Sequence, residues 1–168
     1  TALVLTALGH VAYSERKWTE AEAFQREALA LVEAQRPAGH LEIANAQNSL
    51  AATLFDSART DEALELWTRA LATFERVLDP DHPNLAAVTG NLALACQRKK
   101  DWPRAGELHR RALELRRAAL GPTHEKVVHT LTQYANFLLE SGDATGAEAA
   151  YQEAVESARA STTGGSPV

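Results

Sequence analysis

The chain has 168 residues with 17 basic and 22 acidic side chains, a formal charge of −5 that argues against wholesale nucleic-acid binding. Hydrophobic residues make up 45% and charged residues 23%, ordinary values for a folded chain, and no apolar run approaches the roughly 18 to 20 residues of a membrane-spanning helix. Proteins or peptides are therefore the expected partners, not nucleic acid or membrane, and the lone Cys96 excludes an intramolecular disulfide and points to a reducing, cytoplasmic setting.

The chain opens directly on helical pattern at Thr1-Ala2-Leu3-Val4-Leu5 and contains no methionine, so it is expected to be excised from something longer. In the first unit, about residues 1–40, Leu5, Leu8 and Ala12 and then Ala21, Phe24, Ala28 and Leu31 follow helical spacing on either side of a polar break at Ser14-Glu15-Arg16-Lys17. That pattern predicts two antiparallel helices, the second over 19–35, ended by the proline and glycine of Arg36-Pro37-Ala38-Gly39-His40. The second unit (41–83) repeats the plan, with a break at Asp56-Ser57-Ala58-Arg59, a helix over 60–78 and the linker Asp79-Pro80-Asp81-His82-Pro83. In the third unit (84–125), Arg98-Lys99-Lys100-Asp101 is followed by Trp102-Pro103, where proline suits a first helical turn because its missing N–H has no intrahelical partner there. A helix over 102–120 and the linker Gly121-Pro122-Thr123-His124 complete it. The fourth unit (126–160) breaks at Ser141-Gly142-Asp143 and continues in a helix over 144–160, after which 161–168 lack apolar periodicity and read as a flexible tail.

These units share a register of 42 residues. Ala28, Ala70, Ala112 and Ala154 obey it, as do Ala21, Ala63, Ala105 and Ala147, and Leu8, Leu50, Leu92 and Tyr134 followed by Gly9, Ala51, Ala93 and Ala135. Such a period means stacked supersecondary units that bury their apolar faces against one another. The small residues have a steric reason: Gly9, Ala51, Ala93 and Ala135 should face Ala21, Ala63, Ala105 and Ala147 where paired helices cross, and a bulky replacement would overpack the crossing at about 1 to 3 kcal/mol. His40, His82 and His124 recur in the linkers and should fix those turns by hydrogen bonding. A metal role is not expected, since no glutamate stands at helix-metal spacing from His10 or His129. No nucleophile with a base, glycine-rich phosphate loop or paired carboxylates rises above the helical background, so neither catalysis nor a cofactor is expected. Cys96 reads as an inert core thiol and Trp18, Trp67 and Trp102 as packing residues, with a partly exposed Trp67 anchoring a partner as the alternative.

The Leu-Gly or Leu-Ala pair in each first helix and the two alanines seven apart in each second helix resemble the tetratricopeptide repeat. The repeat length, with Leu120-Gly121-Pro122-Thr123-His124, Asp81-His82-Pro83 and Asn91-Leu92-Ala93, is most similar to the kinesin-light-chain-type subclass, which is also common in bacterial multidomain proteins. The tryptophan-like and tyrosine-like positions of the general motif hold Leu5, Gln47, Thr89 and Leu131, and Ala12, Leu54, Cys96 and Leu138. The resemblance implies an all-α, right-handed α-solenoid of four helix-turn-helix repeats over residues 1–160, whose first helices line a concave groove that binds a peptide or partner helix.

Offset from the Leu-small pair, the expected groove residues are Leu3, Thr6, His10 and Tyr13; Asn45, Asn48, Ala52 and Phe55; Ala87, Gly90, Leu94 and Gln97; and His129, Thr132, Asn136 and Leu139. The set is neutral, amide-rich and partly apolar, suiting an extended peptide, and Asn48→Ala with Asn136→Ala is expected to weaken binding while sparing stability. It contains no lysine or arginine, unlike similar domains that clamp the acidic C-terminus of heat-shock chaperones. The third unit is basic, with eight cationic residues against three acidic ones over 98–117, and Arg104, Arg110, Arg111, Arg116 and Arg117 form a candidate patch for an acidic or phosphate-bearing surface. The alternative is a regulatory or oligomerisation segment of a larger, bacterial signalling protein, self-associating through an uncapped N-terminal repeat face at Leu3, Val4 and Leu5.

Overall fold

A computed structural model describes residues 1–163, which fold into eight α-helices with no strand among the described residues. They are α1 (Ala2–Ser14), α2 (Trp18–Gln35), α3 (Leu41–Asp56), α4 (Thr60–Val77), α5 (Pro83–Arg98), α6 (Trp102–Leu120), α7 (Glu125–Ser141) and α8 (Ala144–Thr163). They group into two compact units, α1–α4 within Thr1–Leu78 and α5–α8 within Asp79–Val168. In each unit the helices pair as hairpins, α1 with α2 and α3 with α4 in the first, α5 with α6 and α7 with α8 in the second, and the second helix of one hairpin packs on the first of the next. The last helix continues to Thr163, three residues past the predicted end at 160, and the rest of the predicted tail lies outside the described residues.

Every hairpin closes the same way. A residue in the turn after each first helix, Arg16, Ala58, Lys100 or Gly142, has positive φ (60°, 65°, 61° and 96°). The N–H groups of the following Lys17, Arg59, Asp101 and Asp143 donate back to the carbonyls of Ala12, Leu54, Cys96 and Leu138. This is the six-to-one Schellman closure, which satisfies otherwise orphaned helix-end carbonyls. Only the fourth repeat uses glycine there. The other three tolerate a left-handed side-chain residue because the turn around it is fully bonded.

The linker histidines act as helix N-caps. His40, His82 and His124 accept through Nδ1 from the backbone N–H of Glu42, Asn84 and Lys126, at 3.2, 3.1 and 3.1 Å, opening α3, α5 and α7.

The eight register alanines of the second helices are all 5% exposed or less. At Gly9 the steric argument is direct: an added Cβ would lie 2.8 Å from Gln25 Cγ and 3.6 Å from the Ala21 carbonyl oxygen on α2. Around this seam the first unit buries Ile43, Leu50, Leu54, Trp67 and Phe74, and the second buries Val88, Leu92, Cys96, Val127, Leu131 and Phe137. Trp18 and Trp102 pack as expected, edge-on to Tyr13 at 5.3 Å and tilted against Phe137 at 6.3 Å.

Candidate interaction surface

Side chains of the first helices carry one interaction that recurs at the same register in both units. Tyr13 donates its hydroxyl to Asp56 Oδ2 at 2.6 Å, tying α1 to α3, and Gln97 Nε2 donates to Glu140 Oε2 at 2.8 Å, tying α5 to α7. Burial, helped by the hydrogen bond and the charge of Asp56, pushes the Tyr13 phenol up to about 12, so it stays a donor. The expected groove set is neutral. Two carboxylates from outside the set, Asp56 and Glu140, bond to its members Tyr13 and Gln97, following Phe55 and Leu139 at the ends of their helices.

A second register comes from the paired helices. Gln25, Trp67, His109 and Tyr151 occupy one position on α2, α4, α6 and α8, and three of them bond to an amide oxygen on the first helix of their own repeat. Trp67 Nε1–H donates to Asn48 Oδ1 at 2.9 Å, Tyr151 donates its hydroxyl to Asn136 Oδ1, and His109 Nε2 lies 3.0 Å from Gln97 Oε1. Burial holds His109 near pKa 4, so its ring is neutral and donates to Gln97. Gln25 differs. Its Oε1 is buried without a partner, beneath a cleft of about 180 Å³ lined by His10, Tyr13, Asn48, Ser49 and Ala52.

These contacts change several sequence-based expectations. Trp67 is 1% exposed and packs 5.5 Å from Phe55, so it is the packing residue expected and the alternative of a partner anchor falls away. Asn48 and Asn136 hold Trp67 and Tyr151, so replacing them disturbs the fold as well as the surface. Thr6 and Thr132 bond back to the carbonyls of Ala2 and Val128 on their own helices, and His10 Nε2 lies 3.2 Å from Ser49 Oγ. Leu94 is half-buried, while Asn45 and His129 are exposed. The arginines of α6 are divided: Arg110 and Arg117 share a cleft with Asp143 and Glu153, Arg117 pairing with Glu153, whereas Arg116 lines a separate cleft with Ala87 and Lys126; Arg104 and Arg111 are exposed.

Sequence reading missed the second-helix register altogether. The signal was present as a regular spacing of hydrogen-bonding side chains, but Gln, Trp, His and Tyr share no similarity that would make the spacing visible. It also missed a cleft of about 590 Å³ that lies along α8 at Tyr151 and Val155 beside Leu139. On α1, Leu3, Val4 and Val11 are 80%, 54% and 56% exposed. Among the described residues no group of three or more His, Cys, Asp or Glu could hold a metal, and no helix is long and apolar enough to cross a membrane. Cys96 is buried, which raises its thiol pKa and suits a core thiol.

Sequence profiles described as tetratricopeptide repeat match residues 42–105 and 85–160, and a further one matches 1–34. The chain belongs to the tetratricopeptide repeat family. The family is a non-catalytic interaction scaffold, and the solved structures similar to this tetratricopeptide-repeat chain share its all-α repeat fold. BtubC (BKLC) from P. vanneervenii superposes with a TM-score of 0.87 at 23% identity, over 99% of this chain and 66% of that one. A kinesin-light-chain-type protein from Podosopora anserina with nearly identical TPR-like repeats gives 0.83 at 20%, over 91% and 72%. The apo form of RapI gives 0.83 at 16%, over 96% and 57%. The chain thus spans just under two thirds of BtubC and somewhat more than half of RapI.

Proposed function

We propose that this chain holds a peptide or partner helix against the exposed faces of its first helices, acting as a binding module in a cytoplasmic protein. The supporting observation is that α1, α3, α5 and α7 present amide, aromatic and aliphatic groups outward while the alanine seams bury their opposite sides. The tethered carboxylates of Asp56 and Glu140 favour a ligand with N–H donors or a basic residue near that edge. Selection of displayed random dodecapeptides against the 168-residue protein tests the reading. Leu94→Glu should reduce binding of the selected peptides at least tenfold, and Glu65→Lys on the exposed side of α4 should not. Equal loss in both variants, or loss in neither, would remove it.

A second reading, self-association as a regulatory or oligomerisation segment, is favoured by the exposed apolar stripe Leu3, Val4 and Val11 on α1. Sedimentation velocity at rising concentration checks it: Val4→Glu should abolish any concentration-dependent oligomer.

A further inference from the structure

One charge in the second unit has no counterpart. The position held by Arg116 on α6 is held by Val32 on α2 and Phe74 on α4, which are 8% and 0% exposed. A guanidinium therefore stands where the first unit's two repeats bury an apolar side chain. Arg116 is half-buried, and its Nε–H has neither solvent nor a hydrogen-bond partner. Leaving such a charged donor unmatched is costly, because desolvation is offset only by an opposite charge with acceptor oxygens.

What surrounds Arg116 supplies no such charge. It lines a cleft of about 210 Å³ with Pro83, Ala87, Ala119, Leu120 and Lys126, and no carboxylate is among the lining residues. Burial alone lowers its pKa, with no neighbouring acid to oppose the effect. Lys126 adds a second cation in the first turn of α7, whose exposed Glu125 does not line the cleft, at the end of the helix where the backbone dipole is positive and an anion is preferred. Two cations, apolar walls and a helix N-terminus thus converge on a space fit for one small charged group.

We propose that the Arg116–Lys126 cleft is an anion site that takes a single carboxylate or phosphate group, its oxygens accepting from the guanidinium and the ammonium. The occupant can be an acidic side chain of a bound polypeptide or a phosphate group. The site does not depend on the peptide reading above, because a small anion alone should fill it.

The test titrates the 168-residue protein with N-acetylglutamate and, separately, inorganic phosphate at constant ionic strength, following the Arg116 Nε–H resonance and the thermal midpoint. At least one anion should give a saturable shift with a dissociation constant on the order of 1 mM and raise the midpoint. Neutral N-acetylglutamine should do neither. A response to N-acetylglutamate alone assigns an acidic side chain, and a response to phosphate alone assigns a phosphate group. Lys126→Gln, at an exposed position that spares the fold, should weaken the response about tenfold. Arg116→Leu should abolish it and raise the midpoint of the anion-free protein, since it restores an apolar residue to the register of Val32 and Phe74. No saturable shift with either anion, an unchanged response in Lys126→Gln, or an equal response to N-acetylglutamine would overturn the proposal.

Discussion

Helices α4 and α6 are register equivalents, one in each unit, and they agree and disagree at alternate points of contact. Ala63 and Ala70 match Ala105 and Ala112, all fully buried, because the paired helix leaves no room for anything larger. Between and beyond them Trp67 stands against His109 and Phe74 against Arg116. Steric constraint at the crossing keeps the alanines uniform, while the positions between and beyond them are free to differ. Helix α4 has filled them with apolar bulk and α6 with ionisable groups.

The largest test of that contrast is Trp67→Ala. It empties a buried indole site and frees the Asn48 amide oxygen, at about 3 to 5 kcal/mol in urea denaturation. The second unit should instead betray itself through pH. The unfolded chain takes up a proton on His109 near pH 6.5, whereas the folded ring resists until about 4. Between those values the unfolded state binds more protons, so stability is full above pH 6.5 and falls as the solution is acidified towards 4. The loss is about 3 kcal/mol, and His109→Gln should flatten the profile in that window. Ala63→Leu and Ala105→Leu should cost similar amounts, about 1 to 3 kcal/mol each, because both overpack the same crossing. A marked inequality would mean the seam is less uniform than its burial suggests. The smallest effect belongs to Asn48→Ala, which leaves the Trp67 N–H without its acceptor and should cost about 1 kcal/mol in the same denaturation assay.

Much of the fold was legible because it is written in residues whose identity is dictated by shape. Ala21 and its register mates must be small, Gly9 must lack a Cβ beside Gln25, and the linker histidines must offer a ring nitrogen to the next helix. The surface was only partly legible. Periodicity placed Tyr13, Asn48, Gln97 and Asn136 on the first helices, but each is bonded to a residue whose distance along the chain follows from packing alone: Tyr13 to Asp56, Asn48 to Trp67, Gln97 to both His109 and Glu140. Arg116 looked like one member of a basic run until the structure showed it half-buried, at the register position of Val32 and Phe74, with its Nε–H unpartnered.

The central claim is that the first-helix faces carry the binding function. It is tested most directly by placing a photo-crosslinking residue at Leu94 or His129, on those faces, and at Glu65 or Arg69, exposed on α4, then irradiating with a selected peptide bound. Crosslinks are expected from Leu94 and His129 and none from Glu65 or Arg69. Crosslinks confined to α4 would contradict it.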